Sequence, residues 1–288
     1  MTVTKFEVPA FPHVQQELPD TIYHSLPLMS ASRLRILERS TSLHLAHSMA
    51  NPSDSPALAV GRALHCKVLT PSLYLRDFVV APQVDRRTKE GKATWESFIA
   101  TAGNRTVLTT EQAEEVSAMA ASIEQHPDAK MIVSGLAGTP EVSLFAEIAG
   151  VKAKSRFDRL VEVGDERIIV DVKTTSGSAS QSEFEKTIWN FGYGIQSAFY
   201  LEMARACGVP AQHFVFVVVE KTAPYAVAVY RFNDAIASAF RPRMLELVSQ
   251  YKTFVEEGPK GYEGVTEIGI PAWAVARIAP NLGEFNEV

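Results

Sequence analysis

VKAKSRFDRLVEVGDERIIVDVKTT, residues 151–175, decides how the chain reads. Val151 to Val163 alternates with basic residues and carries Asp158. Gly164-Asp165-Glu166 supplies a tight turn. Arg167 to Lys173 then runs Ile-Ile-Val-Asp-Val into the lysine. A β-branched run bounded by turn residues is a strand signal, so the stretch predicts a hairpin. Side chains two residues apart share one face of a strand, which sets Asp171 beside Lys173 and lets Asp158 join them from the neighbouring strand.

That placement has a chemical cost. Two carboxylates about 4 Å apart repel by roughly 4 kcal/mol at an effective dielectric near 20. A divalent cation between them converts the repulsion into binding. Magnesium suits hard oxygen donors and takes only one or two protein carboxylates while keeping several waters. A lysine close by can hold or polarise an attacking water, which makes the pattern fit metal-assisted phosphodiester hydrolysis. The bare Asp-x-Lys tripeptide also fits a surface hairpin with an ordinary ion pair, so its surroundings carry the reading.

The chain has 288 residues, 46% hydrophobic and 21% charged, as in ordinary globular proteins. That length allows one large domain or two small ones, and the simplest parse is a single domain over 1–288. Cys66 and Cys207 have no metal-ligand spacing and read as buried free thiols in a reducing cytoplasm. No signal peptide and no membrane-spanning run is visible. The net charge of −5 argues against a general nucleic-acid coat but allows a local basic groove.

Outward from the hairpin, residues 1–27 read as an extended arm. A helix is expected from Ala31 to about His47, with Ser30 or Ser32 as cap, and another from Ala57 to Leu69 before Thr70-Pro71. Phe78-Val79-Val80 reads as a short strand. Helices follow near 93–100 and from Thr109 or Thr110, where Thr110-x-x-Ala113 is not a full capping box. Glu141 opens a strand, and 184–190 and the segment up to Ala206 read as helices around Gly192-Tyr193-Gly194. His213 to Glu220 is nearly all apolar, as in an interior strand covered on both faces, with Tyr225 to Phe232 as its antiparallel neighbour. Asp234 is expected to cap a long helix to about Glu256. Ile270, Trp273, Val275 and Ile278 make the 258–288 tail apolar enough to dock.

In order, then, come His65 in GRALH, Glu141, Asp158 in RFD, Asp171 and Lys173 in IVDVKTT, and Gln196 with Tyr200 in the following helix. This order resembles the PD-(D/E)xK nuclease superfamily, and the GRALH, RRTKEGK and VDVKTT strings resemble its RecE-type (exonuclease VIII) branch of phage recombination exonucleases. The resemblance spans most of 22–255. It implies an α/β, restriction-endonuclease-like core: a central mixed β-sheet flanked by helices, behind a mainly helical N-terminal part. It also implies that Asp158, Asp171 and the Val172 carbonyl bind metal, with His65 near a second metal or a phosphate. Lys173 would orient water or stabilise the transition state, Glu141 would be an auxiliary acid, and Gln196 and Tyr200 would touch the scissile strand or brace Lys173. Phe157 stands where the superfamily's eponymous proline would be, and an aspartate, Asp171, fills the D/E position.

Two basic groups read as phosphate contacts: Arg86, Arg87, Lys89 and Lys92 in one segment, and Lys152, Lys154 and Arg156 on the strand before Asp158. Arg62 accompanies His65 on its helix. A solvated loop is what most charge runs of the first kind are. No aromatic–basic interleaving points to single-strand stacking, and no helix is built to read a major groove, so binding is expected to ignore sequence.

By resemblance the activity is a Mg2+-dependent (or Mn2+-dependent), 5′-to-3′ exonuclease on double-stranded DNA ends, with one or two ions per site. It would leave 3′ overhangs for a single-strand annealing protein in phage or prophage recombination, in the host cytoplasm, as a ring-shaped trimer or tetramer. A nicking or structure-specific endonuclease and a non-catalytic DNA-binding protein remain open on the same residues.

Overall fold

A computed structural model describes residues 10–52, 55–270 and 274. The elements run β1 (His13–Gln15), α1 (Asp20–Ser25), α2 (Ala31–Arg39), α3 (Ser42–Ala50), α4 (Pro56–Leu69), α5 (Pro71–Asp77), β2 (Phe78–Val80), α6 (Lys89–Ala102), β3 (Thr106–Leu108), α7 (Thr110–Gln125) and α8 (Pro127–Lys130). After a π turn at Met131–Gly135 come β4 (Gly138–Ile148), β5 (Val151–Val163), β6 (Glu166–Thr175), α9 (Gln181–Phe191), α10 (Tyr193–Ala206), β7 (His213–Glu220), β8 (Val227–Arg231) and α11 (Asp234–Glu257).

The central sheet has six strands in the order β1-β4-β5-β6-β7-β8. Only β6 and β7 run parallel, because α9 and α10 cross over between them. The sheet is therefore mixed and flanked by helices, as expected. The strand period of two divides its side chains between two cores. Ile169, Phe214, Phe216 and Val218 face the layer of α2, α9, α10 and α11, whereas Val170, Val172, Val217 and Val219 face α4, α7 and the small parallel β2–β3 sheet. Having apolar cover on both sides is what makes β7 a continuous hydrophobic run.

Several expectations change. The arm is not simply extended: β1 adds a sixth strand beside β4, and α1 packs over Phe145 through Tyr23. The expected 31–47 helix is two, broken at extended residues Ser40 and Thr41. Of Thr109 and Thr110, Thr109 caps α7, and its hydroxyl and the Gln112 side chain form a complete capping box where none was expected. Asn233 rather than Asp234 caps α11. In the tail, Ile270 is exposed, while Trp273, Val275 and Ile278 lie outside the described residues. Among the described residues no helix is long and apolar enough to cross a membrane.

Candidate active site

The site lies where the β5–β6 ladder stops. Pairing runs from Val163–Glu166 to Arg159–Val170, and beyond that the strands part. Past the split, the freed edge of β5 is taken over by Met29, whose N–H bonds to the Lys152 carbonyl at 3.1 Å and whose carbonyl accepts the Lys154 N–H at 2.8 Å. At the split itself, side chains satisfy the strand backbone. Asp158 Oδ2 accepts the Val172 N–H at 2.7 Å, and His65 Nε2, from α4, lies 2.8 Å from the Val172 carbonyl oxygen.

A carbonyl oxygen only accepts, so Nε2 of His65 carries a hydrogen. The other ring nitrogen, Nδ1, faces Asp158 Oδ2 at 3.4 Å. Glu141 completes the group: ligand atoms of His65, Glu141 and Asp158 lie within 4.8 Å of one another. Adjacent ligands of an octahedral ion at about 2.1 Å are about 3 Å apart, so the nitrogen–oxygen spacing and the donor types suit a divalent cation. Glu141 reaches this position with a left-handed φ of 51°, between the Pro140–Arg159 and Val142–Phe157 pairs of the β4–β5 ladder. Strained backbone of this sort clusters at functional sites.

Electrostatics mark the same group. Burial, reinforced by Asp158 and opposed by His65 and Arg156, pushes the Glu141 carboxyl up to about 7. Burial also raises Asp158, with Asp171 adding to the rise and His65, Lys173 and the Val172 N–H opposing it. Two crowded, desolvated carboxylates of this kind are a ready receiver for a dication.

Asp171 and Lys173 do share one face. Lys173 Nζ lies 2.5 Å from Asp171 Oδ2 and 4.8 Å from the Tyr193 ring centroid. Burial pulls the ammonium down, but Asp171 and its other anionic neighbours more than compensate, so Lys173 is held above its ordinary range and stays charged. Gln196 donates from Nε2 to Asp171 Oδ1 at 2.7 Å, so it braces the aspartate and not the lysine. Asp171 is 1% exposed and its oxygens face these two partners, while the three-residue ligand group is formed without it. The Val172 carbonyl, expected as a ligand, is engaged by His65. Tyr200 lines the cleft but packs its ring against Phe157, and burial holds its hydroxyl well above the ordinary value.

The expected phosphate contacts fare unevenly. Lys154 is 4% exposed and donates to the Tyr23 and Leu26 carbonyls at 2.5 and 2.7 Å, so it points into the arm and not toward a phosphate track. Arg156 is engaged by Asp20, Ser143 and the Leu18 carbonyl and lies over the Tyr23 ring. The pair ties the arm to β5, while Lys152 stays exposed. Arg86, Arg87, Lys89 and Lys92 are exposed, but none lines the cleft; Arg86 covers Trp95 and Arg87 pairs with Asp85. Arg62 does line it. The cleft, about 2000 Å³, also takes in Arg35, Arg105, Lys221 and Tyr193. Sequence reading missed these because they come from separated segments, and the Arg33-x-Arg35 spacing on α2 was the one local signal.

The fold meets known structures. The chain is similar to the crystal structure of a "Putative exonuclease" from Eubacterium rectale, with 14% identity and a TM-score of 0.55 over 92% of this chain and 99% of that one. That likeness is one of fold. Weaker matches are to SSO0001, at 14% identity, TM-score 0.29 and coverage of 72% of this chain and 90% of that one. VC1899 from Vibrio cholerae follows at 10% identity, TM-score 0.24 and coverage of 84% and 59%. No curated protein matches. Residues 30–261 match the family described as PDDEXK-like domain of unknown function (DUF3799), so the chain belongs to that family, within the PD-(D/E)xK nuclease superfamily.

Proposed function

We propose that this protein is a divalent-metal-dependent deoxyribonuclease that digests linear duplex DNA from its 5′ ends. The single observation behind this reading is the meeting of two groups at the β5–β6 split: His65, Glu141 and Asp158 as an ion-binding set, and the Asp171–Lys173 pair beside it. A bound Mg2+ or Mn2+ would supply Lewis-acid polarisation of the scissile phosphate and a more acidic water. The chain's own residues do the rest. Lys173, kept charged by Asp171, presents an ammonium to the attacking water or to the oxygen charge that develops. Gln196 fixes Asp171, and the Val172 backbone holds Asp158 and His65 in place.

The 5′-to-3′ direction, the 3′ single-stranded product, its transfer to an annealing protein in phage-type recombination, and a ring-shaped trimer or tetramer are supported by the RecE-type sequence resemblance. The test is digestion of one linear duplex, labelled at either end, beside the closed circular form, with magnesium or with chelator, for the wild type and Lys173→Ala. Early release of the 5′ label, a surviving circle and loss of activity with chelator or in the variant are expected. A cut circle would point to an endonuclease, and bound but uncut DNA to a non-catalytic protein. A native mass equal to the 31.6 kDa monomer, with distributive digestion, would remove the ring.

A further inference from the structure

The helices α9 and α10 are separated by one residue, Gly192, in the left-handed conformation at φ 64°. The break puts two aromatic rings at the edge of the cleft. Phe191 stacks on Tyr193 with ring centroids 5.8 Å apart and planes 23° apart, yet remains 50% exposed. Phe191 shares its helix face with Glu183 and Thr187, at spacings of four residues, and all three line the cleft.

Two cations approach the same tyrosine. Lys173 Nζ lies 4.8 Å from its centroid and the Arg35 guanidinium carbon lies 5.0 Å away. The Lys173 ammonium is already paired with Asp171. Arg35, from α2, is different: among the described residues it makes no ion pair, and its buried Nε has no hydrogen-bond partner. An arginine that lines a cleft without a carboxylate, one ring away from Lys173, has its donors free for an anion. A half-exposed ring beside it offers a face to a flat apolar partner.

We propose that Phe191, Tyr193 and Arg35 form a subsite for one unpaired nucleotide, the base stacking on Phe191 and its phosphate held by Arg35. The chemical class that carries both an aromatic plane and an adjoining anion is a nucleic-acid strand, and a ring face is open only to a base that is out of the duplex stack. The subsite rests on the nuclease reading for its position next to Lys173. It adds to that reading a seat for one unpaired base at the edge of the cleft.

The test is binding, not cleavage. Fluorescence anisotropy of a labelled oligothymidylate and of a blunt hairpin duplex is measured with chelator present, on the full chain. Stacking on a protein ring carries energies that correspond to roughly tenfold or more in affinity, so Phe191→Ala weakens oligothymidylate binding by about that factor. Hairpin binding changes by less than about twofold, and Phe191→Trp restores the single-strand affinity. Arg35→Gln lowers the slope of log affinity against log salt by about one contact, and Arg35→Lys recovers the slope. Equal losses on strand and hairpin, no loss on either, or no oligothymidylate binding by the wild type would overturn the subsite. Selective binding by a protein that cuts no DNA would keep the subsite and refute the nuclease. Cutting by a protein whose Phe191 and Arg35 variants bind normally would do the reverse.

Discussion

The Asp158 carboxylate accepts the backbone N–H of Val172 at 2.7 Å, standing in for the ladder bond that the parting of β5 and β6 removes. The carbonyl of the same residue is met by His65. Both backbone groups of one residue are thus satisfied by side chains that also supply ligand atoms. The opening in the sheet and the candidate metal site coincide: without these side chains the backbone groups of Val172 would be unpaired there.

Replacing Asp158 separates these two roles. Asparagine keeps a side-chain oxygen for the Val172 N–H but removes the charge, so Asp158→Asn should fold with near wild-type stability. Its cleavage rate should fall by roughly two orders of magnitude or more, the scale seen when one electrostatic contact to the reaction is removed. Alanine also strands the Val172 N–H and should cost a further ~1–3 kcal/mol of stability. Urea melts beside single-turnover cleavage check both; equal destabilisation by the two variants would deny the backbone role.

Gln196 donates to Asp171, so its loss should be felt through that aspartate. Gln196→Leu fills similar volume but leaves Asp171 Oδ1 without its donor. Outer-contact losses of this kind typically cost about 10–100-fold in metal affinity or activity. The expected signature is a lower single-turnover rate with unchanged DNA affinity in chelator. A rate equal to wild type would remove Gln196 from the site.

Glu141 gives a pH dependence with a defined sign. Its carboxyl is raised from 4.5 to about 7 by burial and by Asp158. Between those values the native state holds a proton that the unfolded state has lost, so this group's contribution to stability falls as pH rises through that window. A dication must displace that proton. Manganese affinity should therefore rise from about pH 6 to about pH 8, and each binding event should release protons. Glu141→Gln should weaken binding and reduce the pH slope, with Asp158 supplying what remains. Calorimetric titration in two buffers of different ionisation enthalpy counts the protons; a pH-independent affinity would exclude Glu141 as a ligand.

What was legible in the sequence follows how local each signal is. The 151–175 hairpin and the His213–Glu220 strand depend on period-two patterning and turn residues, and both are present in the fold. The break at Ser40–Thr41 was hidden because the leucine spacing continues across it. Lys154 reads as a phosphate contact because alternation in a strand says which residues share a face, not what covers that face; here the arm does. Among the site residues, Asp171 and Lys173 were placed together by strand geometry alone. His65 and Gln196 needed the family resemblance, and Arg35 with Tyr193 needed the tertiary structure, since they are far apart in the chain and meet only through helix packing.

Lys154 also yields the last prediction, one independent of catalysis. Burial, with Arg33 and Arg156 nearby, lowers its amine from 10.5 to about 7. Between those values the native amine is neutral while the unfolded one is protonated. The native state binds fewer protons, so stability should rise as pH climbs through the window and the contribution should be lost again as pH falls toward 7. The neutral amine keeps its N–H donors for the Tyr23 and Leu26 carbonyls, so the arm stays tied down throughout. Lys154→Met keeps the side-chain volume, removes the titration, and leaves two carbonyls without their donor. Urea midpoints at about pH 7 and about pH 9 should rise for the wild type relative to the variant, with the variant less stable at the higher pH. Proteolysis should then nick the variant within residues 10–28 first, because those carbonyls belong to α1 and the turn after it. A variant as protected there as the wild type would mean that Arg156 and Met29 suffice to hold the arm.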